Sequence, residues 1–139
     1  MLPRIPELLM GLETDAIRRK NLRDYWIHNA ELLTDEYFER ASLHQKIEGS
    51  TRAALDILRR DFFNTLDEEI RALAELNIPA LIVWGRHDRS VPLQSGQTMH
   101  HILRGSRLEI LEDAGHLPNF ERPELFNKMA VEFLVQTDE

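Results

Sequence analysis

The sequence contains no cysteine among its 139 residues. This absence excludes a disulfide framework, a thiol nucleophile and a zinc site with cysteine ligands, and it permits a reducing compartment. No stretch approaches the roughly 18 consecutive apolar residues that a membrane-spanning helix requires. The first residues also lack the basic leader and the small-residue cleavage site of a secretory signal. We therefore expect a cytoplasmic protein that does not act in a membrane.

Positive charge is also scarce, since 17 Lys and Arg residues stand against 24 Asp and Glu residues and the net charge is −7. An acidic surface repels phosphate backbones, which argues against nucleic acid as a partner. Hydrophobic residues make up 42% of the chain and charged residues 29%, values typical of a folded globular protein. The length suits one domain, or one domain with a small helical subdomain.

Residues 1–77 show only helical periodicity. Thr14 begins a predicted helix whose apolar positions continue to Leu33. Thr34 is the predicted N-cap of the next helix, which should end near Gly49. Two more helices are expected before residue 78, one restarting at Ser50 or Thr51 and one opened by a T-x-x-E capping box, Thr65 with Glu68.

Residues 78–139 follow a different pattern. Residues 80–84 form a continuous apolar run, which favours a parallel strand covered on both faces. The predicted elements after it are a helix from Pro92, a strand at residues 107–111 and a last helix from Pro123. The order strand, helix, strand, helix predicts a βαβ unit with a parallel sheet, and so an α/β fold.

Two loops carry the residues suited to chemistry, and each directly follows a predicted strand. They are WGRHDRSVP at residues 84–92 and EDAGHLPNFERP at residues 112–123. Functional groups of α/β folds lie at the carboxyl ends of parallel strands, so Asp88 of one loop and His116 of the other are expected to meet. An aspartate that accepts from the Nδ1–H of a histidine orients the imidazole and leaves its Nε2 to act as a base.

The same loops match the motifs W-G-x-x-D-x-x-x-P and A-G-H-x-x-x-x-E-x-P. Residues 78–134 therefore resemble the C-terminal segment of the α/β-hydrolase superfamily. The resemblance implies that Asp88 is the acid and His116 the histidine of a catalytic triad. It also implies that residues 1–77 form a helical cap, or lid, and that residues 78–139 form the C-terminal part of the hydrolase core. The cap composition is compatible with meta-cleavage-product hydrolases, which cleave a C–C bond, and with related esterases.

The superfamily's nucleophile motif, G-x-S-x-G, does not occur in the 139 residues. The resemblance thus implies a serine-type hydrolase of a dienoate C–C bond or of a carboxylic ester that is inactive as this chain alone. Its nucleophile would come from a complementing N-terminal half. Haloalkane dehalogenases and epoxide hydrolases, which use an aspartate nucleophile, remain open alternatives within the superfamily.

A non-catalytic alternative is a truncated module that self-associates. Two parallel strands alone do not make a stable sheet, so pairing between chains would cover their edges and give a homo-oligomer.

Several other residues have a chemical and a structural interpretation. Val91 and Leu117, in the two loops, are the candidate substrate-binding residues. Trp26 is expected either to line a pocket beneath the lid or to pack the lid helices. Glu121 is expected to hold the histidine loop by polar contacts. No metal site is predicted, because the adjacent imidazoles of His100 and His101 point in different directions from a helix, and no cofactor is predicted either.

Overall fold

The described part of the chain begins with a series of short helices, as seen in a computed structural model that covers residues 14–59 and 67–137. They are only two to three turns long, so packing rather than intrinsic propensity stabilises them. They are α1 (Asp15–Asn21), α2 (Asp35–Ser42), α3 (Ser50–Arg59) and α4 (Asp67–Glu75).

The segment between α1 and α2 departs from the sequence prediction of one helix continuing to Leu33. A five-residue π-helical turn covers Leu22–Trp26, residue 27 is extended, and a 3₁₀ turn covers Ala30–Leu32. The helix breaks because its backbone groups bond elsewhere: the N–H groups of His28 and Asn29 donate to a distant carboxylate rather than to preceding carbonyls. Apolar spacing continues through this break, so periodicity could not reveal it.

The predicted cap at Thr34 is confirmed, since its hydroxyl accepts from the backbone N–H of Tyr37 at 3.1 Å. Helix α2 ends earlier than predicted, and a 3₁₀ turn at Leu43–Lys46 follows it. Gly49 has a φ of +89°, which favours glycine, and α3 begins at the next residue as expected. Thr65 of the predicted capping box lies outside the described residues.

The predicted βαβ unit is confirmed. Strands β1 (Leu81–Gly85) and β2 (Arg107–Leu111) pair in parallel, with Leu81 opposite Arg107 and Gly85 opposite Leu111. Helix α5 (Leu93–Ile102) connects them and begins directly after Pro92, as predicted. Parallel pairing brings the loops that follow both strands to the same end of the sheet.

Two helices complete the described chain. Helix α6 (Pro118–Glu121) is a single turn that the sequence did not predict, and α7 (Pro123–Thr137) begins at the expected proline. The most buried apolar side chains of the described residues come from the helical segment, the sheet and the chain next to the sheet: Ile27, Phe38, Leu55, Ile82, Leu103, Leu111 and Ala114. Within the described ranges, no helix is both long enough and apolar enough to span a membrane.

Candidate active site

The carboxylate of Asp88 is buried and held by three hydrogen bonds. Its side chain is 4% exposed. Oδ1 accepts from the backbone N–H groups of Ser90 and Val91, each at 2.8 Å, and Oδ2 lies 2.9 Å from Nδ1 of His116. The two backbone bonds form a local turn that fixes the carboxylate, because short acidic side chains readily bond the backbone two or three residues on. This leaves one oxygen directed at the histidine.

His116 is held on three sides. Its backbone N–H donates to the carbonyl of Trp26 at 2.9 Å, and its Nδ1 meets Asp88. The indole of Trp26 contacts the imidazole edge to face, with ring centroids 4.9 Å apart and planes at 80°. Because Nδ1 faces a carboxylate, the neutral ring carries its proton there, and Nε2 is the nitrogen with a free lone pair.

Backbone contacts between the two loops set the distance from the acid to the histidine. The N–H of Arg86 donates to the carbonyl of Leu111, and that of His87 donates to the carbonyl of Ala114, both at 2.9 Å. At Gly85 the chains approach so closely that a Cβ would lie 1.9 Å from the carbonyl oxygen of Gly115. Only glycine permits this approach, so the residue that ends β1 also sets the separation of the loops.

An exposed ion pair joins the same loops. The guanidinium of Arg86 donates from Nε and Nη2 to both carboxylate oxygens of Glu112, at 2.9 and 2.6 Å. These hydrogen bonds lower the pKa of Glu112 and raise that of Arg86. The pair is a two-pronged contact across the ends of β1 and β2, and it involves neither the acid nor the histidine.

A buried carboxylate ties the helical segment to the histidine loop. Glu121 is 6% exposed and accepts from the N–H of Gly115 at 2.6 Å through Oε1. Its Oε2 accepts from the N–H groups of His28 and Asn29 at 2.7 and 2.9 Å. The expectation that this residue holds its loop by polar contacts is therefore met, and the structure adds that the contacts reach the segment before α2.

One cavity is lined by the histidine, and a second is lined by the residue that follows it. A small one of about 110 Å³ is lined by Asp88 and His116 themselves, with Pro118 and the end of β1. A larger one of about 430 Å³ lies among the helices and includes Leu117 in its wall. Its lining residues are Arg18, Asn21, Leu22, Trp26, Tyr37, Ala41, His44, Gln45 and Leu117.

The two candidate substrate-binding residues lie in different environments. Leu117 lines the larger cavity, whereas Val91 belongs to the wall of neither cavity in the described part of the chain. The backbone of Val91 is engaged instead, because its N–H donates to Asp88 and its carbonyl accepts from the Trp84 indole at 3.2 Å. Its position therefore shapes the aspartate loop.

One phenol in the larger cavity is electrostatically perturbed. Burial raises the pKa of Tyr37, and the negative charge of Glu121 raises it further. Its ring stacks on that of Phe120, with centroids 4.2 Å apart, so α2 packs directly on α6.

Sequence reasoning missed the role of the segment from Trp26 to Asn29 at this site. Trp26 does line the larger cavity, one of the two expectations for it, but it also touches His116. The His28 ring stacks on the His87 ring at 4.0 Å, a second contact between this segment and the aspartate loop. No local sequence pattern could have indicated these contacts, because the longest of them joins residues some ninety positions apart. Across residues 14–59 and 67–137, no three His, Asp or Glu side chains converge to hold a metal ion.

Comparison with known proteins gives this geometry a context. The model of the α/β hydrolase fold family matches residues 9–123. The chain is 30% identical over 143 aligned positions to a 2-hydroxy-6-oxononadienedioate/2-hydroxy-6-oxononatrienedioate hydrolase of Escherichia coli, with 93% of this chain and 49% of that protein covered. It thus spans about half the length of the curated relatives it matches.

Solved structures agree with this match. A meta-cleavage product hydrolase from Pseudomonas fluorescens IP01, complexed with acetates, superposes with a TM-score of 0.75 at 25% identity, covering 94% of this chain and 49% of its own. A thermophilic esterase from Thermogutta terrifontis gives a TM-score of 0.63 at 24% identity over 95% of this chain and 44% of its own, which indicates a shared fold. The chain belongs to the α/β hydrolase fold family.

Proposed function

We propose that this chain supplies the acid and the base of a serine-type hydrolase that cleaves a dienoate C–C bond or a carboxylic ester. The nucleophile and the oxyanion-stabilising groups lie outside these 139 residues, on a complementing N-terminal half. The observation that carries the proposal is the 2.9 Å contact between Asp88 Oδ2 and His116 Nδ1, with the aspartate almost fully buried. The enzyme so formed acts on a small molecule in the cytoplasm.

His116 moves the protons in this mechanism. Its Nε2 takes the hydroxyl proton of the nucleophile as the oxygen attacks the substrate carbonyl, and the imidazole becomes an imidazolium. The ring then gives this proton to the departing alkoxide or carbanion, which leaves an acyl-enzyme. In the second half it takes a proton from water, whose oxygen attacks the acyl group, and returns the proton to the nucleophile.

Asp88 stabilises the charged intermediate state of the histidine. Its carboxylate faces Nδ1 from a site with little solvent, where charge–charge attraction is weakly screened. The two backbone N–H groups on Oδ1 keep the carboxylate in place during the proton transfers. A buried carboxylate held in this way needs little reorganisation when the imidazolium forms.

The helices of residues 1–77 serve as the lid in this proposal, and residues 78–139 complete the core. The 430 Å³ cavity lies between the lid helices and Leu117, the neighbour of the base, and its size suits a small organic substrate. Leu117 would contact the substrate there. Val91 would act on the substrate only through the aspartate loop that it helps to form.

The test is fragment complementation. The chain is co-expressed with the N-terminal half of the Escherichia coli relative, and hydrolysis of a p-nitrophenyl ester and of a dienoate is measured. We expect turnover above the rate of either half alone. His116→Ala should abolish it, and Asp88→Asn should reduce it by about 10⁴-fold because the neutral partner favours the wrong tautomer.

The matched control is His101→Ala, which removes an exposed imidazole from α5 and should leave turnover unchanged. Hydrolysis that survives His116→Ala would refute the proposal. An in-frame G-x-D-x-G in place of G-x-S-x-G in the coding sequence upstream would instead assign the chain to the branches with an aspartate nucleophile.

A second candidate is a non-catalytic module that self-associates. The observation in its favour is the surface of α7, where four large apolar side chains are 49–60% exposed: Leu125, Val131, Leu134 and Val135. Covering them in a homo-oligomer would remove apolar area from water. Size-exclusion chromatography with light scattering decides: a monodisperse 16.3 kDa monomer that unfolds cooperatively would rule this candidate out.

A further inference from the structure

The carboxylate of Glu121 is the point at which the helical segment and the histidine loop are joined. Residues 26–29, which we call the strap, run from the last residue of the π-helical turn to the residue before the 3₁₀ turn. Two strap N–H groups, of His28 and Asn29, donate to Oε2, and the N–H of Gly115 donates to Oε1. The three donor–acceptor distances are 2.6–2.9 Å, at the short end of the range for N–H···O hydrogen bonds.

The same strap holds the base. The carbonyl of Trp26 accepts the backbone N–H of His116, and its indole covers one edge of the imidazole. Glu121 therefore fixes two things at once: the residue before His116 in the chain, and the strap that carries the ring packed against it. Both sets of Glu121 contacts, to Gly115 and to the strap, therefore act on the orientation of the imidazole.

We propose that Glu121 is a positioning residue for His116, acting through the backbone of Gly115 and through the strap to aim Nε2. The inference rests on the proposed function for its effect on turnover. Its structural part, the hold on the imidazole, stands independently of any activity. Removing the carboxylate would free the ring to turn away from Asp88 even though no contact between Glu121 and the ring is lost.

An ionised carboxylate is required at this position. All three partners are N–H donors on a group that is 6% exposed, and a carboxylate offers only acceptors. Glutamine has nearly the same shape, but its NH₂ group must face at least one of these N–H groups. At least one buried donor would then lack an acceptor, and the strap or the loop must move to find one.

The experiment compares Glu121→Gln with the parent chain by NMR of the ¹⁵N-labelled protein. We expect the amide exchange of Gly115, His28 and Asn29 to accelerate by about 10-fold or more, since one net hydrogen bond to a charged group is lost. We also expect the downfield signal of the His116 Nδ1–H, bonded to Asp88, to weaken. The ring protons of His116 should lose the shift that the Trp26 indole imposes on them.

The matched control is Glu112→Gln, which removes an equal charge from the same loop, at a side chain whose hydrogen bonds go to Arg86. It should leave the His116 signals unchanged. If Glu121→Gln does not fold, Glu121→Asp replaces it, because it keeps the charge and withdraws the acceptors by one methylene. We then expect the same changes in amide exchange and in the His116 signals, with a smaller magnitude.

In the complemented enzyme, the positioning role predicts that Glu121→Gln lowers kcat by at least 10-fold while KM stays within about twofold. An inactive parent complex would count against the proposed function alone, since the NMR arm is unaffected. Faster exchange with unchanged His116 Nδ1–H and ring-proton signals would overturn the positioning role, because the residue would then be structural only. Unchanged signals in a folded Glu121→Asp would overturn it as well.

Discussion

Gly85→Ala tests how the two loops are kept at their separation. A Cβ at this position would lie 1.9 Å from the carbonyl oxygen of Gly115 and 2.5 Å from that of Ala114. Both obstacles are backbone atoms, so no side-chain rotation can relieve the clash. The ends of β1 and of the histidine loop must separate by more than about 1 Å to reach ordinary van der Waals contact.

The cost has two parts. Forcing an extra methyl group into a packed position costs about 1–3 kcal/mol. The backbone bonds from Arg86 to Leu111 and from His87 to Ala114 lie beside the clash, and losing both costs a further ~1–3 kcal/mol. The free energy of unfolding should therefore fall by roughly 2–6 kcal/mol, a large part of the 5–15 kcal/mol typical of a domain.

The assay is urea denaturation followed by far-ultraviolet circular dichroism. For a slope of about 1.5 kcal/mol per molar, a loss of 3 kcal/mol lowers the midpoint by about 2 M. Gly49→Ala is the control, since its Cβ meets nothing within 4 Å and its only cost is the positive φ, about 1–2 kcal/mol. A Gly85→Ala chain no less stable than the control would refute the close approach, and with it the idea that this glycine sets the distance from acid to histidine.

Three further outcomes are expected. The hydrogen bonds from Arg86 lower the pKa of Glu112 below its ordinary value of 4.5, so their stabilisation is present above that pH and is lost as the pH falls through the lowered pKa. Glu112→Gln should therefore lower the melting temperature at pH 7 but not at pH 2. An equal effect at both pH values would contradict the pairing. Thr34→Ala should cost about 1 kcal/mol in the same urea titration because the N–H of Tyr37 loses its cap, whereas Thr34→Ser should cost much less. Burial, and then the charge of Glu121, raises the pKa of Tyr37, so the absorbance at 295 nm should show a phenol that ionises above pH 10 and is absent from Tyr37→Phe. Because the folded pKa exceeds the unfolded one, stability is lost as the pH rises through the folded value. If the phenol that Tyr37→Phe removes ionises below pH 10, the burial is contradicted.

Local sequence determined the elements that depend on near neighbours. Thr34 caps α2 because its hydroxyl reaches an N–H three residues on, and Pro92 precedes α5 because its fixed φ suits a helix start. The apolar run at residues 80–84 was enough to predict a parallel strand, since such runs are typical of parallel sheets. The motifs around Asp88 and His116 likewise placed both residues after strands, where the structure brings them to 2.9 Å.

Only the tertiary structure decided where the first helix breaks and what surrounds the histidine. The apolar spacing continues through residues 22–33, yet the chain leaves the helix because a buried carboxylate from Glu121 offers a better acceptor to His28 and Asn29. Short-range periodicity contains no information about a partner more than ninety positions away. The sequence by itself thus determined the family, the strands and the two residues suited to acid and base chemistry. The strap, the buried carboxylate and the indole against the imidazole required the folded chain, because each depends on groups that meet only when distant segments pack.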